Sequence, residues 1–315
     1  MRIRATVAAV SGALALSALV VPAAHADGSA ASTHRADVAK VKEAAHSATS
    51  GKSAFSTAAD DEPMPYKLNV SFSNFKIAKT VKLGATGHVS VPLSFTLTHG
   101  AEVDITADDF LLEAYIYRGS FATETTESES ELYGDDFPTC TATSATVATC
   151  KSDIDIYLGE DADILNSQAG TWRGAADAVA FNGQLVPGGG MDITKVGFAE
   201  KGGLATTLLQ RASRLTANAT PEPVKKGRTI TVTGKLTRAN WDARNYGGYS
   251  AQPVKLQFRK NGTSTYTTVK TIRTNTKGDL KTTVKATADG FFRYVFAGTT
   301  TTSPVNGAAD FIDVK

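Results

Sequence analysis

The sequence predicts an all-β protein with two antiparallel β-sandwiches in tandem, placed after a signal peptide and a disordered leader. Apolar and polar residues alternate with period two over many short segments beyond Tyr66, which places alternate side chains on opposite faces of a strand. Turn dipeptides such as Asn182-Gly183 and Asn261-Gly262 separate these segments. No long helical periodicity lies between them, and 315 residues are enough for about two domains.

The N-terminus, residues 1–26, has the three parts of a secretory signal peptide. A basic start, Met1 to Arg4, precedes an uncharged apolar run from Ala5 to Val21, and small residues stand at Ala24 and Ala26. We expect cleavage after Ala26 and a secreted, extracellular protein. An uncleaved anchor is the alternative, but two serines interrupt a run that is short for the ~20 residues of a bilayer span. No comparable apolar run follows, so we expect no membrane span in the mature chain.

Residues 27–65 are predicted to be a flexible leader. They are rich in Ala, Ser, Thr, Lys and Asp and contain a single aromatic residue, Phe55, which leaves too little apolar surface to offset the entropy of ordering. Ala36 to Ala45 contains helix-forming residues but is shorter than the ~12 to 15 residues that keep an isolated helix folded in water. A pro-segment and a spacer are equally consistent with this composition.

Residues 66–210 are predicted to form the first sandwich. An alternating run from Val89 to Leu97 follows an apolar and aromatic set that includes Phe72 and Phe75. Further candidate strands are Phe110 to Tyr117, Thr139 to Cys150, Asp153 to Leu158, Thr171 to Phe181 and Met191 to Phe198. Pro187-Gly-Gly-Gly190 can only be a loop.

Residues 211–315 are predicted to form the second sandwich, after a polar junction from Ala212 to Lys226. Its candidate strands are Thr229 to Leu236, Val254 to Arg259, Tyr266 to Ile272, Leu280 to Ala286, Phe291 to Phe296 and Phe311 to Val314. Asn261-Gly262 predicts a hairpin between the second and third of them. Short strands at this spacing are typical of an antiparallel sandwich.

A family resemblance rests on four segments of this second half. They are Gln252-Pro-Val-Lys-Leu-Gln-Phe-Arg-Lys260, Tyr266-Thr-Thr-Val-Lys270, Gly278-Asp-Leu-Lys-Thr-Thr-Val-Lys285 and Gly290-Phe-Phe-Arg-Tyr-Val-Phe-Ala-Gly298. Together they resemble immunoglobulin-like modules at the C-termini of exported actinobacterial proteins, which are mostly uncharacterised and in some cases labelled calcium-binding. The resemblance implies an immunoglobulin-like fold over roughly the last hundred residues and supplies no catalytic residues. Around Ala169-Gly-Thr-Trp172 the first half resembles a late strand of a similar module over a shorter stretch.

The two predicted sandwiches carry opposite charge. Between Asp61 and Glu200 there are 21 acidic and 8 basic residues, a balance of −13, whereas Lys201 to Lys315 contains 6 acidic and 19 basic residues, a balance of +13. Such asymmetry concerns association and steering rather than fold. It allows head-to-tail self-association or docking of one sandwich on the other.

Carboxylates of the first sandwich are a candidate calcium site, since calcium takes six to eight oxygen ligands. The proposed ligands are Asp153, Asp155, Glu160, Asp161 and Asp163, of which the first two share a strand face. The spacing is not that of an EF-hand loop. The alternative is an acidic rim that only interacts with water.

Lysine and arginine residues of the second sandwich are a candidate anion-binding face. Its members, Lys255, Arg259, Lys281 and Lys285, are predicted to point outward from their strands. Such a face would bind an anionic extracellular polymer, a nucleic acid or an acidic protein, mainly by counterion release. Trp241, Tyr246 and Tyr249 are the aromatic residues that could stack on nucleic-acid bases. The alternative is that these charges keep an exported sheet soluble and prevent edge pairing.

Cys140 and Cys150 are predicted to form a disulfide across a hairpin, because both are flanked by β-formers and export places them in an oxidising compartment. A catalytic thiol is the alternative, but no histidine lies nearby in the sequence.

The sequence predicts no enzyme activity. It contains no Gly-x-Ser-x-Gly elbow, His-Glu-x-x-His helix or phosphate-binding glycine loop, and only His88 and His99 fall in regions predicted to fold. A hydrolase with paired carboxylates is the enzymatic alternative. Trp172 lies in an apolar strand and is predicted to belong to the core. The favoured function is therefore a secreted, non-catalytic binding protein, with calcium binding as the alternative and no other cofactor expected.

Overall fold

We describe the protein from a computed structural model that covers residues 30–50, 63–121, 131–160, 162–185 and 190–315. In the first of these segments, side chains are described from His34 to His46. The predicted signal peptide lies outside the described residues. None of the helices in the described segments is long and apolar enough to cross a membrane.

Among the described residues of the first sandwich there are ten strands in two sheets. In chain order the strands are β1 Tyr66–Lys67, β2 Val70–Ile77, β3 Thr80–Leu83, β4 Gly87–His99, β5 Phe110–Tyr117, β6 Glu131–Leu132, β7 Thr139–Ser144, β8 Val147–Leu158, β9 Gly170–Ala180 and β10 Gly197–Arg211. Sheet A has the order β1-β10-β9-β5-β6, with β3 also paired to β10, and sheet B has the order β2-β4-β8-β7. Single turns of 3-10 helix, Asn166–Gln168 and Ile193–Lys195, precede β9 and β10.

The pairing in this sandwich is antiparallel as predicted, apart from β1 and β3, which run parallel to β10. The segment from Thr139 to Cys150 contains the turn between β7 and β8, which form the hairpin predicted to bring the two cysteines opposite each other. The strand predicted from Met191 to Phe198 begins only at Gly197, because a 3-10 turn occupies the residues before it.

The core of the first sandwich lies between sheets A and B. Phe72, Phe95 and Leu97 of sheet B pack in one buried cluster with Trp172 of sheet A. The indole N–H of Trp172 donates to the carbonyl oxygen of Gln168 at 2.9 Å, so its polar group is satisfied inside the core. This confirms the prediction that Trp172 is a core residue.

The outer face of sheet A is covered by a helix, α1, that spans Ala30–Ser50. Val38 and Val41 of α1 are buried in a cluster with Val179, Phe181 and Phe198. The prediction of a flexible leader over 27–65 is therefore wrong for residues 30–50. A helix of this composition is marginal in isolation, whereas packing of an apolar face supplies most helical stability in proteins. Both faces of β5 and of the second half of β9 are buried, partly beneath α1 and partly beneath Phe121 and Tyr133.

Ten further strands form the second sandwich. They are β11 Ser213–Leu215, β12 Asn218–Thr220, β13 Thr229–Asn240, β14 Asn245–Gly248, β15 Pro253–Lys260, β16 Thr267–Arg273, β17 Asp279–Lys285, β18 Gly290–Phe296, β19 Val305–Asn306 and β20 Asp310–Ile312. In sheet C, β11, β12, β14 and β17 all pair with the long strand β13, and sheet D has the order β16-β15-β18-β19 with β20 also paired to β18.

The core of the second sandwich lies between sheets C and D and joins Val232, Leu236, Leu256 and Phe292 with Tyr294. The buried Tyr294 hydroxyl donates to the carbonyl oxygen of Val232 at 2.9 Å. The hairpin predicted at Asn261-Gly262 is present as the antiparallel pair β15 and β16. The strand pairing therefore confirms an all-β chain of two tandem, largely antiparallel β-sandwiches.

The two sandwiches meet at a buried contact. The linker between them is short, because Ala212 alone lies between the end of β10 and the start of β11. Trp241 of the second sandwich belongs to the core cluster of the first, and its indole N–H donates to the carbonyl oxygen of Gly84 at 2.8 Å. Arg211 is buried, and its Nε–H donates to the carbonyl oxygen of Ala239 at 2.5 Å. Burial and the nearby Arg238 lower the pKa of Arg211 to about 10.

Candidate functional site

The disulfide between Cys140 and Cys150 is confirmed. The two residues lie directly opposite each other on β7 and β8, with a Cα–Cα distance of 4.0 Å and an S–S distance of 1.97 Å. Cys150 is fully buried. The bridge therefore closes the hairpin at the edge of sheet B, and the alternative of a catalytic thiol is excluded while it is intact.

The described members of the predicted calcium site form no group of three that converges on one point. Asp153 and Asp155 lie on β8, Glu160 and Asp163 lie in the segment after it, and Asp161 is outside the described residues. The carboxylate of Asp163 accepts a hydrogen bond from the backbone N–H of Tyr157 at 2.6 Å. The alternation of side chains along β8 predicts that Asp153 and Asp155 share one face. It does not predict the path of the chain after Leu158, and that path decides where Glu160 and Asp163 lie.

A different set of potential ligands converges on the outer face of sheet B. His88, Asp135 and Asp155 place one ligand atom each within 4.8 Å of one another, the one such group among the described residues. His88 and Asp155 are 2.8 Å apart (Nε2–Oδ1), and the backbone N–H of Asp135 donates to Asp155 Oδ2 at 3.0 Å. Only Asp155 belongs to the predicted set. Two carboxylates and one imidazole suit zinc or another transition metal better than calcium, which prefers oxygen ligands alone.

The ring of Tyr157 borders this group. It stacks on His88 with 4.3 Å between ring centroids, and its hydroxyl donates to Asp135 Oδ2 at 2.5 Å, which raises the pKa of Tyr157 to about 12. Partial burial disfavours ionised Asp155, but hydrogen bonds from Asp135 and His88 outweigh it and hold the pKa of Asp155 below its usual value. Asp155 is thus held as a carboxylate, and the three side chains are hydrogen-bonded to one another or to Tyr157.

The histidines of the first sandwich contact acceptors rather than a hydroxyl nucleophile. His88 is paired with Asp155, and His99 Nδ1 lies 2.9 Å from the carbonyl oxygen of Gly100. Neither contact is that of a general base on a serine or threonine.

The four residues of the predicted anion-binding face lie on two different sheets. Lys255 and Arg259 are on β15 of sheet D, whereas Lys281 and Lys285 are on β17 of sheet C. Each set points away from the core, so the two sets face opposite sides of the sandwich. The prediction of one continuous face is therefore wrong. Alternation shows which side chains point outward, but it does not show to which sheet a strand belongs.

Sheet D places aromatic rings beside two of its arginines. The guanidinium of Arg259 lies 4.1 Å from the ring centroid of Phe291 and 5.4 Å from that of Tyr266. Arg293 on β18 lies 3.7 Å from the same Tyr266 centroid. Phe311 on β20 packs against Phe291 with 5.1 Å between centroids and is 36% exposed. We call this surface the sheet D cation face and define it as Lys255, Arg259, Arg293, Tyr266, Phe291 and Phe311.

Sequence reasoning missed Arg293, Tyr266, Phe291 and Phe311 as members of a site. The signal was present, because Phe291, Arg293 and Val295 alternate with the buried Phe292, Tyr294 and Phe296. The aromatic residues proposed instead are not free to stack on bases. Trp241 is buried, and Arg214 and Arg238 cover the rings of Tyr246 and Tyr249 at 3.5 and 4.0 Å.

No protein-family model and no curated protein matches the chain. Among solved structures it is similar to the Yersinia pseudotuberculosis adhesin InvE, with 11% identity over 78% of this chain and 60% of that one and a TM-score of 0.24. The Escherichia coli adhesin FdeC matches with 13% identity over 78% and 65% of the two chains and a TM-score of 0.27. Domains from titin match with 11% identity over 78% and 68% and a TM-score of 0.24. Similarities at such TM-scores do not establish a shared fold. The fold class follows from the strand pairing of this chain.

Proposed function

We propose that this chain is an exported, non-catalytic binding protein whose second sandwich binds an anionic extracellular polymer through the sheet D cation face. One observation carries the proposal. Lys255 and two ring-stacked arginines share one outward surface, and no acidic residue occurs on β15, β16 or β18.

The arginines of this face are held in place before any ligand arrives. Arg259 donates to the carbonyl oxygen of Thr263 at 2.6 Å, and Arg293 donates to the side-chain oxygen of Gln257 at 3.0 Å. Stacking on Tyr266 and Phe291 further restricts both guanidinium groups. A flat guanidinium that is already oriented loses less side-chain entropy when its remaining N–H groups bind an oxyanion.

The charge of the second sandwich supports the same ligand class. The excess of 13 positive charges between Lys201 and Lys315 attracts polyanions over a distance set by the Debye length, about 8 Å at physiological ionic strength. Phosphate and carboxylate groups pair with arginine through two parallel hydrogen bonds. Affinity is then dominated by counterion release and falls as salt is added.

A matched pair of charge reversals tests the proposal. We expect Lys255→Glu combined with Arg259→Glu to weaken binding to poly(glycerol phosphate) at least tenfold. Loss of two phosphate contacts should also reduce the slope of log affinity against log salt by about 1.4, at roughly 0.7 per contact. Binding is measured by calorimetry at several salt concentrations, with neutral dextran as the negative ligand.

The control variant carries Lys281→Glu and Lys285→Glu, which changes the net charge equally but on sheet C. We expect it to retain most of the affinity. Equal losses in both variants would show that only total charge matters, and undiminished binding in the sheet D variant would overturn the proposal.

Divalent cation binding by the first sandwich is a second candidate function, favoured by the convergence of His88, Asp135 and Asp155. We expect the donor set to bind zinc more tightly than calcium, since one of the three groups is an imidazole. Calorimetric titrations with each ion on the parent chain and on Asp155→Asn test this. Absence of heat with both ions, or heat that Asp155→Asn leaves unchanged, would exclude the site.

A further inference from the structure

Three acidic side chains form one row on the outer face of sheet A, beneath α1. Glu113 on β5 is the direct cross-strand partner of Asp177 on β9, and Asp177 is in turn the partner of Glu200 on β10. Directly opposed residues of neighbouring strands project on the same face with their Cβ atoms about 5 Å apart. Three carboxylates at this spacing repel one another unless cations separate them.

Helix α1 supplies one basic side chain to each of these three carboxylates. Arg35 Nε lies 2.7 Å from Glu113, Lys42 Nζ lies 3.3 Å from Asp177, and His46 Nε2 lies 2.6 Å from Glu200. The spacing of these residues, seven and then four positions, keeps them on one side of a helix. The pairing therefore fixes both the position and the rotation of α1 on the sheet.

The central pair, Lys42 and Asp177, is the most completely removed from water. The Asp177 side chain is 1% exposed and that of Lys42 is 14% exposed. Neither Asp177 oxygen accepts a well-formed hydrogen bond from the described residues. No set of hydrogen-bond donors there stabilises the ionised form of this carboxyl group. Lys42 donates to the hydroxyl of Tyr115 at 3.1 Å and lies 4.5 Å above the same ring.

Two further carboxylates surround this pair. Glu131 Oε1 lies 3.7 Å from Lys42 Nζ, an ion-pair distance from which a small side-chain movement brings it within hydrogen-bond distance of that nitrogen. Glu113 lies directly across from Asp177, and its charge favours the protonated form of its neighbour. Burial, with this help from Glu113 and against the attraction of Lys42, raises the pKa of Asp177 to about 7. Desolvation of Lys42 favours its neutral amine, although the surrounding acidic groups outweigh it and raise the pKa of Lys42.

We propose that Lys42 and Asp177 condense to an intramolecular amide that ties α1 covalently to β9. The nitrogen and a carboxyl oxygen are 3.3 Å apart, so the amine lies against the carboxyl group whose carbon it would attack, and holding two reactants together in this way lowers the entropic part of the barrier. Both partners sit on packed elements, so the arrangement persists without a bound ligand.

The reaction needs no oxidant and no second substrate. A proton passes from the Lys42 ammonium to the Asp177 carboxylate, which leaves a neutral amine beside a neutral carboxylic acid. The nitrogen lone pair then attacks Asp177 Cγ and forms the C–N bond. Glu131 accepts a proton from the nitrogen and returns it to the departing hydroxyl, the C–O bond breaks, and one water leaves. Glu113 is a positioning residue, because it acts only by keeping Asp177 protonated.

Intact mass spectrometry of the purified mature chain tests the proposal. We expect a mass lower than that of the sequence by one water, about 18 Da, counted from the N-terminus determined on the same sample. Proteolysis should release a branched peptide that joins Lys42 to Asp177. Lys42→Arg keeps the charge but cannot form this amide, and we expect it to have the full mass. Lys40→Arg, a change on the exposed side of the same helix, should retain the deficit.

Glu131→Gln distinguishes a chemical role from a structural one. We expect it to fold with an unchanged circular dichroism spectrum and to contain mostly unlinked chain immediately after refolding. A parent chain with full mass, whose Lys42 is acetylated by an amine reagent after denaturation, would overturn the proposal. So would a deficit that persists in Lys42→Arg.

Discussion

The packing of α1 on sheet A should weaken when one buried valine of the helix, Val41, is truncated to alanine. Val41 is fully buried at the centre of the contact between α1 and sheet A. Val41→Ala removes the equivalent of two methylene groups from that contact without changing charge. The substitution is best made together with Lys42→Arg, so that no covalent link can hold the helix in place.

The expected magnitude follows from the burial. Two buried methylene equivalents contribute about 1.6 kcal/mol at ~0.8 kcal/mol each, and the cavity left behind adds to the loss. Alanine has the higher helix propensity, which returns up to about 0.7 kcal/mol. The net loss of docking free energy is therefore about 1 to 2 kcal/mol, which corresponds to a roughly tenfold larger undocked population at 1.36 kcal/mol per factor of ten.

Hydrogen exchange of the amides between residues 36 and 46 measures this population, because exchange through local opening reports the free energy of that opening. The control is Lys40→Ala, whose side chain is exposed and pairs with Asp37. A surface pair of this kind is worth about 0.5 kcal/mol or less. If the two variants exchange at the same rate, α1 does not pack on sheet A through Val41 and the reasoning fails.

Three further predictions concern other contacts. Replacing Cys140 and Cys150 together by serine should cost about 3 kcal/mol in the loop-entropy model for a loop of this length, measured by urea unfolding; an unchanged midpoint would contradict it. Burial raises the pKa of Glu113 above its usual 4.5 although Arg35 opposes the shift, so the folded state binds more protons and stability should rise as pH falls through the interval just above 4.5. In Glu113→Gln that rise should become smaller, and what remains is the part from Asp177, whose pKa burial also raises; an undiminished rise would assign the effect to another group. Trp241→Ala should cost roughly 3 to 5 kcal/mol and separate the thermal transitions of the two sandwiches, whereas one cooperative transition at the original temperature would show that the contact is not required.

The disulfide and the central strands could be predicted because their signals are local. The strand predicted at Phe110 to Tyr117 has the bounds of β5, and the hairpin of β15 and β16 follows from Asn261-Gly262. The disulfide could be predicted because it requires only that Cys140 and Cys150 lie opposite each other on the two strands of one hairpin. Each of these inferences depends on residues within about a dozen positions of one another.

The candidate sites were predicted less well because they depend on contacts between distant segments. His88 and Asp135 join Asp155 from other elements of the first sandwich, and nothing in the local pattern around Asp155 names them. Arg259 and Arg293 share the ring of Tyr266 because β15 pairs with β18. The division of the basic residues between sheets C and D has the same origin.

The amino-acid sequence by itself determined which segments become strands and which side chains point away from a core, because alternation with period two is a property of a few neighbouring residues. The tertiary structure alone decided which strands share a sheet, and it turned residues 30–50 from a marginal isolated helix into a packed one. Burial of Val38 and Val41 and pairing of Arg35, Lys42 and His46 with three strands supply a free energy that exists only after those strands have assembled. The composition of residues 30–50 does not contain this free energy, because it comes from contacts with the strands on which the helix lies.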